Sequence, residues 1–81
     1  MTLQFLTRDG CHLCEDAFAV LEAHAQPAGV AVTVLDIDED EALFDEYDFR
    51  VPVIRDTSGS VLAEGVIDPE TIRRIVAAAP R

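Results

Sequence analysis

At 81 residues the chain is one small domain, spanning 1–81, and a domain of this size buries only about 60% of its unfolded surface, so its stability margin is narrow. A hydrophobic fraction of 49% excludes a disordered polymer, and no apolar run approaches the ~18 residues of a membrane helix. Sixteen acidic residues face six arginines and no lysine, and the resulting net charge of −10 argues against nucleic-acid phosphates and anionic membranes as partners.

Residues 2–6 (Thr-Leu-Gln-Phe-Leu) read as a strand. Leu13, Ala17, Val20, Leu21 and His24 then recur at helical spacing, and Pro27 with Gly29 ends that helix. Val30 to Ile37 is β-branched and nearly all apolar, the pattern of a strand buried on both faces. Two strands around a helix predict a right-handed parallel βαβ unit. In 38–48, the acidic first turn and Ala42, Leu43, Phe44 and Tyr47 suit a short helix. Tyr47, Phe44 and Phe49 are expected in the core.

Residues 51–55 (Val-Pro-Val-Ile-Arg) read as a third strand with a proline at its entrance. Asp56-Thr57-Ser58-Gly59 is a turn, and 60–64 a fourth strand that closes a hairpin. Asp68-Pro69-Glu70 starts a last helix with an N-cap, a proline in the first turn and an acid beside it. Ile72, Ile75, Val76 and Ala79 form its apolar face. The order is βαβ-α-ββα, an α/β chain with a mixed four-stranded sheet flanked by helices.

The chemistry concentrates at Cys11-His12-Leu13-Cys14, which holds both cysteines of the chain. C-x-x-C at a strand-to-helix junction reads as a thiol–disulfide redox motif. Residues i and i+3 share a helix face, so the two sulfurs can bridge or part with little backbone motion. Cys11 falls at the helix N-terminus, where orphan N–H groups and the helix dipole favour a thiolate, the nucleophilic form. The competing readings are a structural bridge, a metal site and two inert thiols. A closed zinc site wants four ligands, and His12 and His24 are poorly placed to supply two of them.

His12 is either a cation that tunes Cys11 or an exposed first-turn side chain. His24 reads as helix-end surface. Asp36, Asp38 and Asp40 alternate like the start of a calcium loop, but Glu41 and Tyr47 stand where that loop needs Gly and Glu. Arg50 and Arg55 flank the Val-Pro strand, and either a substrate carboxylate or plain surface placement accounts for them. The N-terminal residues 1–4 have no basic segment leading into a long apolar one, so no secretory signal is expected and a cytoplasmic location fits. There, a C-x-x-C is catalytic, redox-sensing or metal-binding more often than structural.

The element order, the C-x-x-C at the first strand–helix junction and the Val-Pro entering the third strand together resemble the thioredoxin fold in its shortest form. More narrowly, the chain resembles the glutaredoxins, and among them the small bacterial glutaredoxin-like proteins with a Gly-Cys-His-Leu-Cys-Glu type of motif. The resemblance implies Cys11 as nucleophile and Cys14 as resolving cysteine. It implies a cis peptide at Pro52, with the backbone of Val51 meeting the bound peptide or glutathione. Arg8 matches a basic residue three before the nucleophile, and Gly65 and Asp68 match parts of the segment that holds the γ-glutamyl end of glutathione.

The chain departs from the usual pattern in several places. Cys-His-Leu-Cys replaces Cys-Pro-Tyr-Cys, and Arg50 replaces a threonine. Glu64 replaces a glycine, Ile67 a polar residue, and Pro69 removes a backbone donor. The expected function is thiol–disulfide exchange through the Cys11/Cys14 dithiol, reducing protein disulfides or glutathione mixed disulfides. No bound cofactor is implied. Glutathione, expected to bind weakly, or a thioredoxin-type reductase would restore the dithiol. The alternative is a non-catalytic redox-sensing or protein-binding module on the same fold.

Overall fold

A computed structural model describes residues 2–79. Strand β1 (Thr2–Thr7) leads into helix α1 (His12–Ala28), strand β2 (Ala31–Asp36), a single 3-10 turn at Ile37–Glu39, and helix α2 (Glu41–Tyr47). Strands β3 (Val53–Asp56) and β4 (Val61–Glu64) and helix α3 (Pro69–Ala78) complete the chain. The sheet order is β2-β1-β3-β4, with β1 parallel to β2 and antiparallel to β3, and β3 antiparallel to β4. This is the mixed sheet and element order that the resemblance implies.

Strand alternation divides the core in two. Leu3 and Phe5 of β1 and Ile54 of β3 point to one face, under Cys14, Ala17, Leu21 and Ala25 of α1 and Ile72 and Val76 of α3. Leu6 and Val53 point to the other, under Ile37 and Tyr47. Asp68 caps α3 by accepting from the Thr71 N–H at 2.8 Å, with Pro69 in the first turn as expected. In the β3–β4 turn, the Asp56 carboxylate accepts from the N–H of Ser58 at 2.9 Å and of Ser60 at 3.1 Å.

The sequence pattern misplaces several residues. Leu13 is 49% exposed, and Cys14 takes the inward position of that turn. Helix α1 runs through Pro27 to Ala28, with Gly29 as its cap. A proline in the last turn deletes only one ladder bond, and the N–H groups of Gly29 and Val30 reach back to Gln26 and Ala25. Strand β2 is not buried on both faces. It lies at the sheet edge with Val34 half exposed. Of the three aromatics expected in the core around α2, only Tyr47 is buried, because a helix of seven residues has a single inward turn. Phe44 is partly exposed and Phe49 fully so. Strand β3 begins at Val53, since Pro52 has no N–H for the ladder.

The register gathers the loops that matter. Leu6 pairs with Val53, Val53 with Glu64, and Thr7 with Asp36. The segments leaving β1 and β2, entering β3 and leaving β4 therefore all meet at one end of the sheet.

Candidate redox site at one end of the sheet

The turn from β1 into α1 carries the cysteines. Gly10 adopts φ 76°, a left-handed conformation that side chains rarely accept, and this bends the chain into the helix start. Cys11 is the N-cap, and its Sγ accepts a hydrogen bond from the Cys14 N–H at 3.1 Å. Its carbonyl accepts from the Glu15 N–H at 3.1 Å. A sulfur has thus taken the place of the usual cap oxygen, facing the helix's orphan donors.

Cys11 and Cys14 are joined as a disulfide, with Cα atoms 5.2 Å apart. Cys14 is 1% exposed within the α1–α3 core, whereas Cys11 is partly exposed at its edge. His12 is 94% exposed, with Nδ1 3.4 Å from the Glu15 carboxylate.

Two arginines tie the neighbouring loops to this turn. Arg8 donates from Nη1 to Asp48 Oδ1 at 2.6 Å and to the Asp48 carbonyl at 3.2 Å. It also donates from Nη2 to Asp38 Oδ1 at 2.8 Å. Its guanidinium stacks 5.4 Å over the Phe44 ring. The Asp48 hydrogen bond, more than any other contact, raises the Arg8 pKa further above its ordinary range.

Arg50 donates from Nε to Glu64 at 2.6 Å and from Nη1 to Glu46 at 2.8 Å, and lies 4.8 Å over the Tyr47 ring. Between them, Arg8 joins the cysteine turn to the α2–β3 loop, and Arg50 joins that loop to the end of β4. A third tie is the Gly65 N–H, which donates to the Pro52 carbonyl at 2.9 Å. Gly65 has φ 74°, so here too a side chain would be strained.

The peptide between Val51 and Pro52 is cis, as the resemblance implies. Pro52 is fully buried, and Val51 packs against both halves of the core. Arg8, Val51, Pro52 and Gly65 thus come to the cysteine end of the sheet, and Asp68 follows three residues after Gly65. Three of these residues already have internal partners for their polar groups: Arg8 two aspartates, the Gly65 N–H a carbonyl, and the Asp68 carboxylate the α3 N-terminus, which pulls its pKa below the usual carboxylate range.

Glu64, which stands where the usual pattern has a glycine, is paired with Arg50. Asp38, Asp48 and Glu46 are the residues that sequence reasoning missed. Asp38 and Asp48 lie 30 and 40 positions from Arg8, and only Glu46, four before Arg50, had a helical-spacing signal. Among the described residues no cluster of three or more His, Cys, Asp or Glu could hold a metal ion, and no helix is long and apolar enough to cross a membrane.

The Arg50–Glu64 tie yields a pH-dependent prediction. The Arg50 hydrogen bond holds the Glu64 carboxyl below its ordinary range. A depressed folded pKa gives stability that is complete above the unfolded value, about 4.3, and is lost as pH falls through the lower folded value. The native chain should therefore resist urea better than Glu64→Gln near neutral pH, with the gap closing as acid protonates Glu64. A gap that stays constant down to about pH 2 would assign the difference to packing instead.

Comparison with known proteins agrees with this geometry. The chain matches the glutaredoxin-like domain (DUF836) over residues 2–76. It is similar to protein XcR50 from X. campestris, 37% identical over 96% of this chain and 99% of that one, with a TM-score of 0.76. It is also similar to protein Ne2328 from Nitrosomonas europaea, 31% identical over 91% and 88% of the two chains, TM-score 0.73. A mutant thioredoxin from Halobacterium salinarum is 28% identical over 95% of this chain and 72% of its own, TM-score 0.68. No curated protein matches. With its fold, its C-x-x-C pair and this match over nearly its whole length, the chain belongs to the glutaredoxin-like domain family.

Proposed function

We propose that the protein is a cytoplasmic thiol–disulfide oxidoreductase that reduces protein disulfides through Cys11 and Cys14. One observation carries the reading: the two cysteines sit one helical turn apart, the outer one capping α1 and the inner one buried. The reduced Cys11 sulfur, held by the Cys14 N–H and the helix dipole, attacks one sulfur of a substrate disulfide. The substrate's other sulfur leaves as a thiolate and takes up a proton. Cys14 then loses its proton and attacks Cys11 Sγ, closing the protein disulfide and releasing the second substrate thiol. Two electrons and two protons pass to the substrate. Glutathione or a thioredoxin-type reductase returns them to the protein.

Between those two reductants, the arginine partners favour the reductase. A glutathione carboxylate at Arg8 would have to displace Asp38 or Asp48 from charge-assisted bonds that are already made. Fully reduced protein mixed with the neutral hydroxyethyl disulfide should consume one disulfide per chain as Cys11–Cys14 reforms. No thiol release above the uncatalysed background would refute the oxidoreductase reading. Titration with glutathione should give a Kd weaker than about 1 mM. Sub-millimolar binding, with shifts centred on Arg8, Val51 and Asp68, would make glutathione mixed disulfides the better substrate class.

The fully exposed Phe49 beside the site favours a second reading, a redox-sensing module that binds one partner without turnover. Catalytic cycling with a supplied reductant separates the two: an enzyme reduces many disulfides per chain, a module only one.

A further inference from the structure

The surface around the disulfide holds apolar side chains for which exchange with a small disulfide has no use. Phe49 is 97% exposed in the loop between α2 and Pro52. Both of its neighbours are anchored, Asp48 by Arg8 and Arg50 by Glu46, Glu64 and the Tyr47 carbonyl. The ring is therefore presented by a fixed backbone. It borders a shallow groove of about 270 Å³ shared with Phe44 and Asp45. Val66, 84% exposed, follows Gly65, and the half-exposed Leu13 sits between the two cysteines. Three of the four segments gathered at this end of the sheet thus each show one uncovered apolar side chain.

The rim around them is acidic. Asp9, Glu15 and Asp16 are exposed on the cysteine turn and first helical turn, and Asp45 in the groove. The nearby cations Arg8 and Arg50 are each engaged by two carboxylates of the chain itself.

We propose that this face docks a polypeptide segment carrying its disulfide beside an apolar side chain and basic residues, with Phe49 as the anchor. The inference rests on the oxidoreductase reading and adds its substrate class. Charge complementarity selects the occupant: a basic segment gains from the rim, whereas a second copy of this chain would bring another −10 against it. The anchored loop lowers the ordering cost of docking. Reduction follows the two exchange steps above, with the segment's disulfide as the electron acceptor and the reduced protein as the donor.

The test uses stoichiometrically reduced protein and disulfide-cyclised decapeptides. One carries leucine and lysines beside the disulfide, a second has glutamates for the lysines, and a third has glycine for the leucine. Hydroxyethyl disulfide is the reference. At low salt the lysine–leucine peptide should react about tenfold or more faster than its glutamate counterpart, and the ratio should approach one near 0.5 M salt. Phe49→Ala should lower the rate for the lysine–leucine peptide about tenfold relative to its own rate with hydroxyethyl disulfide, and Phe49→Leu should restore most of it.

Equal rates for the three peptides, or a Phe49→Ala effect equally large on hydroxyethyl disulfide, would overturn the docking proposal and leave the oxidoreductase reading standing. Failure to reduce hydroxyethyl disulfide at all would overturn both. A dimer in sedimentation that Phe49→Ala dissolves would assign the face to a second copy, against the proposal.

Discussion

Replacing Cys11 with serine should remove disulfide exchange, a loss on the order of 10³-fold or more, whereas Cys14→Ser should accumulate a mixed disulfide on Cys11. The asymmetry follows from burial and capping. Cys14 is 1% exposed under α3 and cannot meet a bulky disulfide without opening the core, while Cys11 is accessible and its sulfur faces the helix donors. Serine at position 11 still caps the helix, since a hydroxyl oxygen accepts from the same N–H, so the variant should fold and fail only in chemistry. Mass spectrometry of each variant after exposure to a cyclic peptide disulfide reads the outcome directly. Preferential alkylation of Cys14 in the reduced native protein would reverse the two roles. A Cys14→Ser variant that turns over as fast as the native chain would instead point to a one-thiol route in which glutathione resolves the intermediate.

The largest effect on stability is expected at Phe5. It lies in an inner strand, 1% exposed, paired across the sheet with Val34 and Ile54 and packed against Phe18 with the ring centroids 5.4 Å apart and the rings tilted. Truncation to alanine leaves a cavity between the sheet and α1 that rigid neighbours cannot close, at a cost of about 3–5 kcal/mol. At about 0.05–0.15 kcal/mol per residue, a chain of 81 residues has roughly 4–12 kcal/mol in all. Phe5→Ala should therefore lose about a quarter or more of the total, and its urea midpoint should fall in proportion. A shift of under about 1 kcal/mol would mean that the core collapses around the site far more readily than a packed interior does.

Local patterns carried most of the architecture. Asp68-Pro69 marks a helix start by its own chemistry, and the structure begins α3 there. The β-branched run after Gly29 marks a strand, and the structure puts β2 in it. What the pattern could not convey is position within the sheet. A run such as Val32-Thr33-Val34-Leu35 reads the same at a centre or at an edge, and only the pairing of β1 with β3 pushes β2 outward. Leu13 and Cys14 are adjacent and both apolar, so a rotation of one residue about the helix axis decides which is buried. Spacing alone does not fix that rotation, whereas packing against α3 does.

The cysteine turn was the most legible part of the site, because its motif is contiguous. The ties around it were not, because Arg8 meets Asp38 and Asp48 through the fold and not through the sequence. The exposed Phe49 illustrates the same limit. An aromatic beside a helix reads as core until the helix proves too short to cover it.

The central place of β1 has a consequence for how the chain assembles during synthesis. Its partners are residues 31–36 on one side and 53–56 on the other, so the first strand made must wait for the later ones before its backbone is paired on both edges. Only β3 and β4 can join as a local hairpin, and loop closure delays the rest. Through that interval the helix bearing Cys14 has no sheet to bury it, and both thiols lie open to oxidants. The spacing of the pair limits the harm. With two cysteines in the chain, three positions apart, oxidation before folding within one chain can give only the native bond. Pairing of these two cysteines within the chain therefore needs no isomerase to correct it, and such a premature disulfide is already the oxidised state of the finished site.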